Sequence, residues 1–315
     1  MKTDKNPAPE TLLEARDLSV SFRMYDGASG ALRQRDLRVI YNLSVSVREG
    51  EIVAVAGSSG SGKSLLAHAI LGILPRNAQV TGDMRYRGKA VTESLLRDIR
   101  GRELALVPQS LTYLDPLMKT GEQINGIYGN DEKRKSIFQR YELAESAAKK
   151  YPFQLSGGMS RRILISTAVM GDAKLIIADE PTPGMTLATA KRVMEHFREL
   201  SDAGAGILLI THDLDLAFEC ADRIAVFYAG STVEIADAAD FREGPQRLRH
   251  PYSKALWQAV PQNGFIPIPG SQPYAGELPS GCCFAPRCPE RTGACASPVP
   301  MRELRGGEVR CVHAV

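Results

Sequence analysis

Several features are scarce or missing in this sequence, and each absence argues against a broad class of protein. No apolar run is long enough to span a bilayer, which takes about 20 residues of α-helix. The 39 Lys and Arg residues nearly balance the 36 Asp and Glu residues, and the net charge is only +3. This balance argues against the strongly basic surface of a nucleic-acid-binding protein. No internal repeat or low-complexity segment is evident, so a repeat architecture is not expected.

The amino-terminal residues are polar, include Pro7 and Pro9, and lack the apolar segment of a secretory signal peptide. We therefore expect a cytosolic protein, which leaves docking on a membrane protein open. Short basic runs at residues 133–135, 149–150 and 161–162 fit solvated helix faces better than binding patches.

Residues 57–64 read G-S-S-G-S-G-K-S and match the phosphate-binding pattern G-x-x-x-x-G-K-S. They lie between an apolar run at 51–56, typical of a buried strand, and a helical pattern at 65–71. Glycines let backbone N–H groups approach phosphate oxygens closely, and a helix N-terminus favours anions. Lys63 can reach the β- and γ-phosphates, and Ser64 can offer its hydroxyl to Mg²⁺. The residues predicted to bind a nucleoside triphosphate are Gly57, Ser58, Ser59, Gly60, Ser61, Gly62, Lys63, Ser64 and Leu65.

A second apolar run, at residues 175–178, ends in two carboxylates, Asp179 and Glu180. Two acids in a turn after a strand are common, and alone they are a weak signal. With a phosphate-binding loop upstream, Asp179 is predicted to help hold Mg²⁺, directly or through water. Glu180 is the candidate to polarise the attacking water.

The order of the predicted elements indicates an α/β fold. Alternating apolar and polar residues predict half-buried strands at 18–22 and 39–47, joined by a loop. Short apolar strands at 104–107, 175–178 and 207–210 alternate with helical patterns, as in a mostly parallel sheet covered by helices. We expect an inserted helical subdomain at about 110–170. A change in composition places a domain boundary near residue 240, which divides the chain into domains at 1–240 and 241–315.

A third motif, L-S-G-G-M at residues 155–159, precedes a helical pattern and could form a second phosphate-binding helix start. The phosphate-binding loop, this segment and the I-I-A-D-E-P-T run at 176–182, in this order and spacing, resemble ATP-binding cassette (ABC) ATPases. The resemblance covers residues 12 to about 240. It implies a P-loop NTPase core, an antiparallel β subdomain, the inserted helical subdomain, and ATP hydrolysis.

The resemblance also implies roles for residues outside these motifs. Gln109 would contact Mg²⁺ or the attacking water, and His212 would hydrogen-bond the γ-phosphate. Phe22 best matches the aromatic residue that stacks on adenine, with Tyr25 as the alternative, although either could be ordinary core packing. The signature residues that would face ATP bound to a partner subunit are Ser156, Gly157 and Gly158.

Two positions depart from the family pattern. Met159 stands where the signature usually has glutamine. The segment after Glu180, residues 182–186, lacks the aspartate of the D-loop, which normally crosses a dimer interface toward the partner's site. We therefore expect symmetric coupling between two sites to be altered. The residues retained for hydrolysis are Lys63, Asp179, Glu180 and His212.

The carboxy-terminal segment is cysteine-rich, with five of the six cysteines between residues 282 and 311. In a cytosolic chain such thiols favour metal coordination over disulfides, and zinc or an iron–sulfur cluster would suit four of them. H-P-Y-S-K-A-L at 250–256 and the cysteine block that begins at 281 resemble the oligopeptide, dipeptide and nickel importers among ABC proteins. That resemblance favours a 4Fe–4S cluster, with zinc as the alternative. Its expected ligands are Cys282, Cys288, Cys295 and Cys311.

The remaining cysteines are assigned other roles. Cys283 adjoins Cys282 and could compete with it as a ligand, but the family register favours Cys282. Cys220 lies in a helix-like stretch and is expected to be a buried structural thiol.

Taken together, the resemblance implies the ATPase subunit, or translocase motor, of a binding-protein-dependent importer. It would sit peripherally at the cytoplasmic face of the membrane, with a second ATPase subunit, two permease subunits and an extracytoplasmic solute-binding protein. The altered D-loop favours a non-identical ATPase partner. The expected solute is a short peptide, with nickel or a metal chelate second. The rival class is a soluble ABC ATPase acting on nucleic acid or ribosomes, and a redox-sensing tail is compatible with transport.

Overall fold

The computed structural model describes residues 9–26, 33–126 and 129–315 of the chain. Its strands are β1 (Thr11–Asp26), β2 (Arg33–Arg48), β3 (Ile52–Gly57), β4 (Ala78–Tyr86), β5 (Lys89–Ala90), β6 (Leu104–Val107), β7 (Leu175–Asp179), β8 (Gly206–Ile210), β9 (Arg223–Tyr228), β10 (Ser231–Asp237), β11 (Arg302–Leu304) and β12 (Gly307–Val309). Its α-helices are α1 (Lys63–Leu71), α2 (Glu93–Ile99), α3 (Thr120–Asn125), α4 (Asp131–Arg140), α5 (Gly157–Val169), α6 (Leu187–Asp202), α7 (Leu214–Cys220), α8 (Ala238–Glu243) and α9 (Pro251–Gln258).

These strands form two sheets. The larger has the order β11-β12-β10-β9-β3-β8-β7-β6, and its central strands from β9 to β6 run parallel. The smaller is antiparallel, in the order β2-β1-β4-β5. The predicted combination of a mostly parallel core sheet with an antiparallel β subdomain is therefore confirmed.

The central strands are apolar at successive positions because both faces of the sheet are covered. In β3, Ile52, Ala54 and Ala56 pack into one core, whereas Val53 and Val55 pack into the core shared with the smaller sheet. Successive side chains of a strand point to opposite faces, so a strand buried on both sides needs a continuous apolar run. Full burial of a Val or Ile side chain contributes about 1.5–3 kcal/mol.

A helical segment lies between β6 and β7. It contains α3, α4 and α5, and at the described residues from 108 to 174 it has no strand. Asn130 and Ser156 cap α4 and α5, since each side-chain oxygen accepts a hydrogen bond from a first-turn N–H group. This segment corresponds to the inserted helical region expected at about 110–170.

The carboxy-terminal residues add strands to the core sheet. Strand β12 pairs antiparallel with β10, with Glu234 opposite Val309, and β11 completes a hairpin at the sheet edge. The segment after residue 240 thus contributes two strands to the core sheet. The domain boundary at residue 240 stays a prediction.

The β1–β2 region differs from the sequence expectation. The strands are much longer than 18–22 and 39–47, and they pair from Thr11 with Arg48 to Asp26 with Arg33. Much of the expected loop is therefore strand, and residues 27–32, with Gly27 and Gly30, lie outside the described residues. Among the described residues, the structure contains no helix long and apolar enough to cross a membrane.

Candidate functional site

The phosphate-binding loop lies where β3 ends and α1 begins. Gly57 has φ 154°, and a Cβ there would lie 2.2 Å from the carbonyl oxygen of Phe227. Gly62 is the left-handed N-cap of α1, with φ 96°. Both positions require glycine, because an L side chain would clash or be strained. The first-turn N–H groups of α1 are thereby left facing the loop, which is the arrangement that binds an anion.

Lys63 lies across this loop. Its side chain is buried, and Nζ donates hydrogen bonds to the carbonyls of Gly57 at 2.8 Å and Ser58 at 3.0 Å. Burial lowers the pKa of Lys63, while the nearby charges of Glu180 and Asp179 act in the opposite direction. A buried cation at the loop is suited to meet the charge of a triphosphate.

Asp179 and Ser64 meet beside the loop. Asp179 ends β7, and Ser64 Oγ donates a hydrogen bond to its Oδ1 at 3.2 Å. Burial raises the pKa of Asp179, and the hydrogen bond from Ser64 opposes that shift. A hydroxyl and a carboxylate at this separation supply the oxygen ligands that Mg²⁺ prefers.

Glu180 is held in an uncommon backbone conformation. Its φ is 50°, in the left-handed region, and its N–H donates to the carbonyl of Ile210 at 2.9 Å. The carboxylate Oε2 is 2.5 Å from Nδ1 of His212, which follows β8. Non-glycine residues in this region cost about 1–3 kcal/mol and concentrate at functional sites. The structure thus brings together Glu180, the predicted base, and His212, the residue predicted to hydrogen-bond the γ-phosphate.

Gln109 follows β6 and is exposed. Because β6 and β7 are parallel neighbours, Gln109 leaves the sheet at the edge where Asp179 ends its strand. Ser156 and Gly157, at the start of α5, are also exposed. Their exposure fits contact with another molecule, whereas Gly158 lies against the altered D-loop, where a Cβ would be 3.2 Å from the carbonyl of Gly184.

Arg161 is a site residue that the sequence did not reveal. We expected residues 161–162 to form a solvated face, and this expectation is wrong for Arg161, whose side chain is buried. Its Nη1 donates to the carbonyl of Pro108 at 2.9 Å, which ties α5 to the segment carrying Gln109. Burial lowers the pKa of Arg161, and the charges of Glu180 and Asp179 oppose this. An S-R-R sequence at a helix start carries no signal that separates a buried arginine from an exposed one.

The two aromatic candidates for adenine stacking differ in environment. Phe22 is partly buried and packs against the core between the two sheets. Tyr25 is 62% exposed, and its hydroxyl accepts a hydrogen bond from Gln34 at 2.8 Å. The β1–β2 pair does approach the loop, because a Cβ at Gly62 would lie 3.1 Å from Ile40. The choice between the two aromatics stays a prediction.

The carboxy-terminal cysteines fall in one region of the structure. The amide of Cys282 donates to the carbonyl of Cys295 at 2.9 Å. Nε2 of His313 lies 3.5 Å from Sγ of Cys295, and its amide donates to Sγ of Cys311 at 3.4 Å. Burial raises the pKa of Cys288, and the neighbouring thiols Cys282 and Cys311 act in the same direction. Even so, no group of three or more metal-ligating side chains in the described part of the chain is close enough to hold an ion.

Of the other two thiols, Cys283 is buried, whereas Cys220, expected to be buried, is half-buried against the main core. Cys283 belongs to the main core, its Sγ donates to the carbonyl of Tyr228 at 3.5 Å, and burial raises its pKa to about 12. Cys220 contacts Met194 across 3.7 Å between sulfurs, and burial raises its pKa to about 12. Thiols in such surroundings are inert.

Comparison with protein families and curated proteins gives consistent matches. A family model described as ABC transporter matches residues 40–183, and one described as oligopeptide/dipeptide transporter, C-terminal region, matches residues 233–295. The chain is 33% identical to the oligopeptide transport ATP-binding protein OppD of Escherichia coli K12, across 96% of this chain and 92% of that protein. It is 35% identical to OppD of Lactococcus lactis subsp. cremoris SK11, across 85% of this chain and 83% of that one.

Solved structures agree in fold. An ATP-binding subunit of an ABC transporter superposes with a TM-score of 0.59 at 26% identity, over 74% of this chain and 92% of that one. The ATP-binding cassette MJ0796, in a post-hydrolysis dimer bound to ADP and phosphate, superposes with a TM-score of 0.63. Its identity is 22%, over 72% of this chain and 99% of that one, so the likeness concerns the fold alone.

Proposed function

The chain belongs to the ABC transporter family, and from this membership we propose that it is the ATP-hydrolysing subunit that drives peptide import through partner membrane subunits. The observation that carries the proposal is the meeting of four groups at one sheet edge. Lys63 and Ser64 of the loop, Asp179, and the Glu180–His212 pair all lie there. The OppD relatives are named for oligopeptide transport, which puts peptides first and nickel or a metal chelate second.

In the proposed reaction each residue has a distinct task. Lys63 and the first-turn N–H groups of α1 hold the β- and γ-phosphates. Ser64 and Asp179, with Gln109 as a further candidate, would hold Mg²⁺, and the bound ion would supply positive charge at the phosphates. Glu180 accepts a proton from the attacking water, and His212, which contacts that carboxylate, orients the γ-phosphate.

We propose that a second ATPase subunit completes each site. Ser156 and Gly157 are exposed at the start of α5, so their N–H groups can face ATP bound by a partner chain. The D-loop lacks its usual aspartate, which favours a non-identical partner. Two permease subunits and a solute-binding protein would complete the importer, with this chain peripheral at the cytoplasmic face of the membrane.

The helical segment offers a surface for the permease subunits. Leu117 is 86% exposed, and Tyr113 and Phe153 are each more than half exposed. Where such side chains form a contiguous patch, they mark an interaction site. Tyr113 and Leu117 follow Gln109 by a few residues in the chain, so a change at the nucleotide can reach them over a short path.

The first test replaces Lys63 by Ala in the complex purified with its ATPase partner and permeases. MgATP affinity is expected to fall at least tenfold, since the loop loses a charge-assisted contact worth about 1.5–3 kcal/mol. ATP-dependent uptake of a labelled short peptide into proteoliposomes is expected to stop. Lys89→Ala, at an exposed lysine of β5, is the matched control. Retained peptide uptake by the Lys63 variant would refute the proposal. If the wild-type complex takes up nickel and not peptide, the assignment of the solute changes to nickel.

A metal centre at Cys282, Cys288, Cys295 and Cys311 is a second, finer proposal. Four thiols suit a 4Fe–4S cluster or zinc, and their shared region supports it. The side chains would have to turn toward a common point, because the described residues do not present a formed site. His313, which the sequence did not indicate, contacts two of the thiols and is available as a further donor.

Metal analysis after anaerobic purification tests this centre. About four irons and four acid-labile sulfides per chain are expected for the cluster, with absorbance near the blue end of the spectrum. Cys295→Ser is expected to lose the metal, whereas Cys220→Ser, at a half-buried thiol that contacts Met194, is expected to keep it. Stoichiometric zinc without sulfide would identify the centre as a zinc site instead of an iron–sulfur cluster. A metal-free chain would reject both assignments.

A further inference from the structure

The phosphate-binding loop is held from outside by the carboxy-terminal segment. The amide of Ser58 donates a hydrogen bond to the hydroxyl of Tyr252 at 3.3 Å. The Ser58 hydroxyl donates to Oε1 of Gln272 at 2.7 Å. These partners follow Ser58 by 194 and 214 positions in the sequence. The first turn of the loop is therefore fastened by residues that no phosphate-loop pattern includes.

The Tyr252 hydroxyl has little freedom to move. The side chain is 1% exposed, and its ring lies 4.5 Å from the ring of Tyr228 and 5.3 Å from that of Phe284, between centroids. Tyr228 ends the core strand β9, and Phe284 belongs to the cysteine-rich segment. Rings packed on several sides keep a fixed rotamer, so the hydroxyl stands at a set distance from the loop.

Gln272 ties the loop to a second part of the core. Its Oε1 accepts a hydrogen bond from the amide of Ala229 at 3.3 Å in addition to the one from Ser58. Ala229 lies in the turn between β9 and β10 and has φ 46°. A carboxamide oxygen has two lone pairs, and both donors can be accommodated. One oxygen thus connects the phosphate loop with the turn beside it.

The contacts that the carboxy-terminal segment makes with the loop involve other atoms of the loop than the contacts made by Lys63. Lys63 donates to the carbonyls of Gly57 and Ser58, and it must turn toward phosphate oxygens when a triphosphate binds. The contacts of Tyr252 and Gln272 lie on Ser58 and do not involve the lysine, so they remain when it turns. A loop that already has its bound shape loses less conformational entropy when the triphosphate binds.

We propose that Tyr252 and Gln272 are positioning residues of the nucleotide site, which hold Ser58 so that the loop is preorganised for the triphosphate. The inference rests on the proposed function, since it requires that the loop binds ATP. It makes the carboxy-terminal segment part of the ATP site, whatever the cysteines of that segment bind.

The test measures MgATP affinity of the full-length chain and KM and kcat of the assembled complex. Tyr252→Phe keeps the packed ring and removes only the hydroxyl, and Gln272→Ala removes the second contact. Each is expected to weaken MgATP binding and raise KM by about three- to tenfold, the range for one lost hydrogen bond. The kcat at saturating ATP and the melting temperature are expected to stay near wild type. Tyr274→Phe, at a 61% exposed ring of the same segment, is the control and should change none of these values.

A double-mutant cycle separates the hydrogen bond from general damage to the segment. Ser58→Ala and Gln272→Ala each break the same bond, so the double variant is expected to bind MgATP about as weakly as either single one. Additive losses, or a Tyr252→Phe chain that binds MgATP like wild type, would overturn the inference and leave the ATPase function standing. A wild-type chain without MgATP affinity would overturn both.

Discussion

Replacement of Glu180 by Gln is expected to lower ATP turnover by about 10²- to 10⁴-fold, the usual contribution of a general base, while MgATP stays bound. The amide keeps the size of the carboxylate but cannot take a proton from water. Two backbone features place this side chain without help from its charge: the left-handed conformation at Glu180 and the hydrogen bond from its N–H group to the carbonyl of Ile210. The geometry of the variant should therefore survive, and the measurement is single-turnover ATP hydrolysis by the assembled complex beside equilibrium binding of MgATP.

The control for this prediction is the partner of the carboxylate. His212→Ala removes the imidazole that contacts Oε2 of Glu180 but leaves the base in place. We expect a smaller loss of turnover than for Glu180→Gln, because the carboxylate still accepts the proton. If Glu180→Gln hydrolysed ATP at the wild-type rate, or if His212→Ala were the more damaging change, the base would have to be sought elsewhere.

The strands that carry the site could be predicted from the sequence because their burial leaves an apolar signature. Strands β3, β7 and β8 are covered on both faces, so their residues are apolar at successive positions. Strand β4 (Ala78–Tyr86) was missed for the converse reason: most of its side chains are exposed, and a run such as T-G-D-M-R shows no apolar alternation. The apolar pattern of a sequence indicates which residues are buried, and it indicates a strand only where the strand is buried.

The residues of the site also fall into a group that the sequence identifies and a group that it does not. Lys63, Asp179 and Glu180 lie in local motifs that end or begin regular elements, so short windows of sequence identify them. Contacts made by tertiary packing leave no such trace. The hydrogen bonds from the Ser58 amide to Tyr252 and from Arg161 to the carbonyl of Pro108 join residues far apart in the chain, and only the fold reveals them.

Arg249 is another residue whose importance comes from packing, and its replacement by Ala is expected to have the largest effect on stability. Its side chain is 1% exposed, and Nη1 lies 3.3 Å from Glu234, which is fully buried, and 2.8 Å from Asp240. Nε and Nη2 donate to the carbonyls of Leu304 and Arg305 in the β11–β12 turn. One guanidinium thus joins a core strand, α8 and the terminal hairpin.

Removal of this cation would leave Glu234 buried without a counter-ion, at a cost of about 3–5 kcal/mol. We expect the melting temperature of Arg249→Ala to fall by about 5–8 °C, together with faster proteolysis of the carboxy-terminal segment. The neighbouring Arg247 offers a matched control, because it also pairs with Asp240, at 3.4 Å, but is 51% exposed. Arg247→Ala is expected to cost less than about 1 kcal/mol. Equal losses in the two variants would mean that the buried pair does not hold the hairpin to the sheet.

A combined variant shows whether the unpaired charge or the lost packing is responsible. Arg249→Met with Glu234→Gln removes the charges of Arg249 and Glu234 and keeps most of the volume, while Asp240 keeps its ion pair with Arg247. This variant should recover a large part of the stability lost in Arg249→Ala. Because β12 pairs with β10 beside Glu234, recovery should also restore protection of the terminal hairpin against proteolysis. The same variant tests the ATP site from a distance, since Tyr252 lies three residues after Arg249 and reaches Ser58 from there. If the terminal hairpin and the phosphate-binding loop depend on one anchored segment, MgATP affinity should fall in Arg249→Ala. It should return in the combined variant with Arg249→Met and Glu234→Gln.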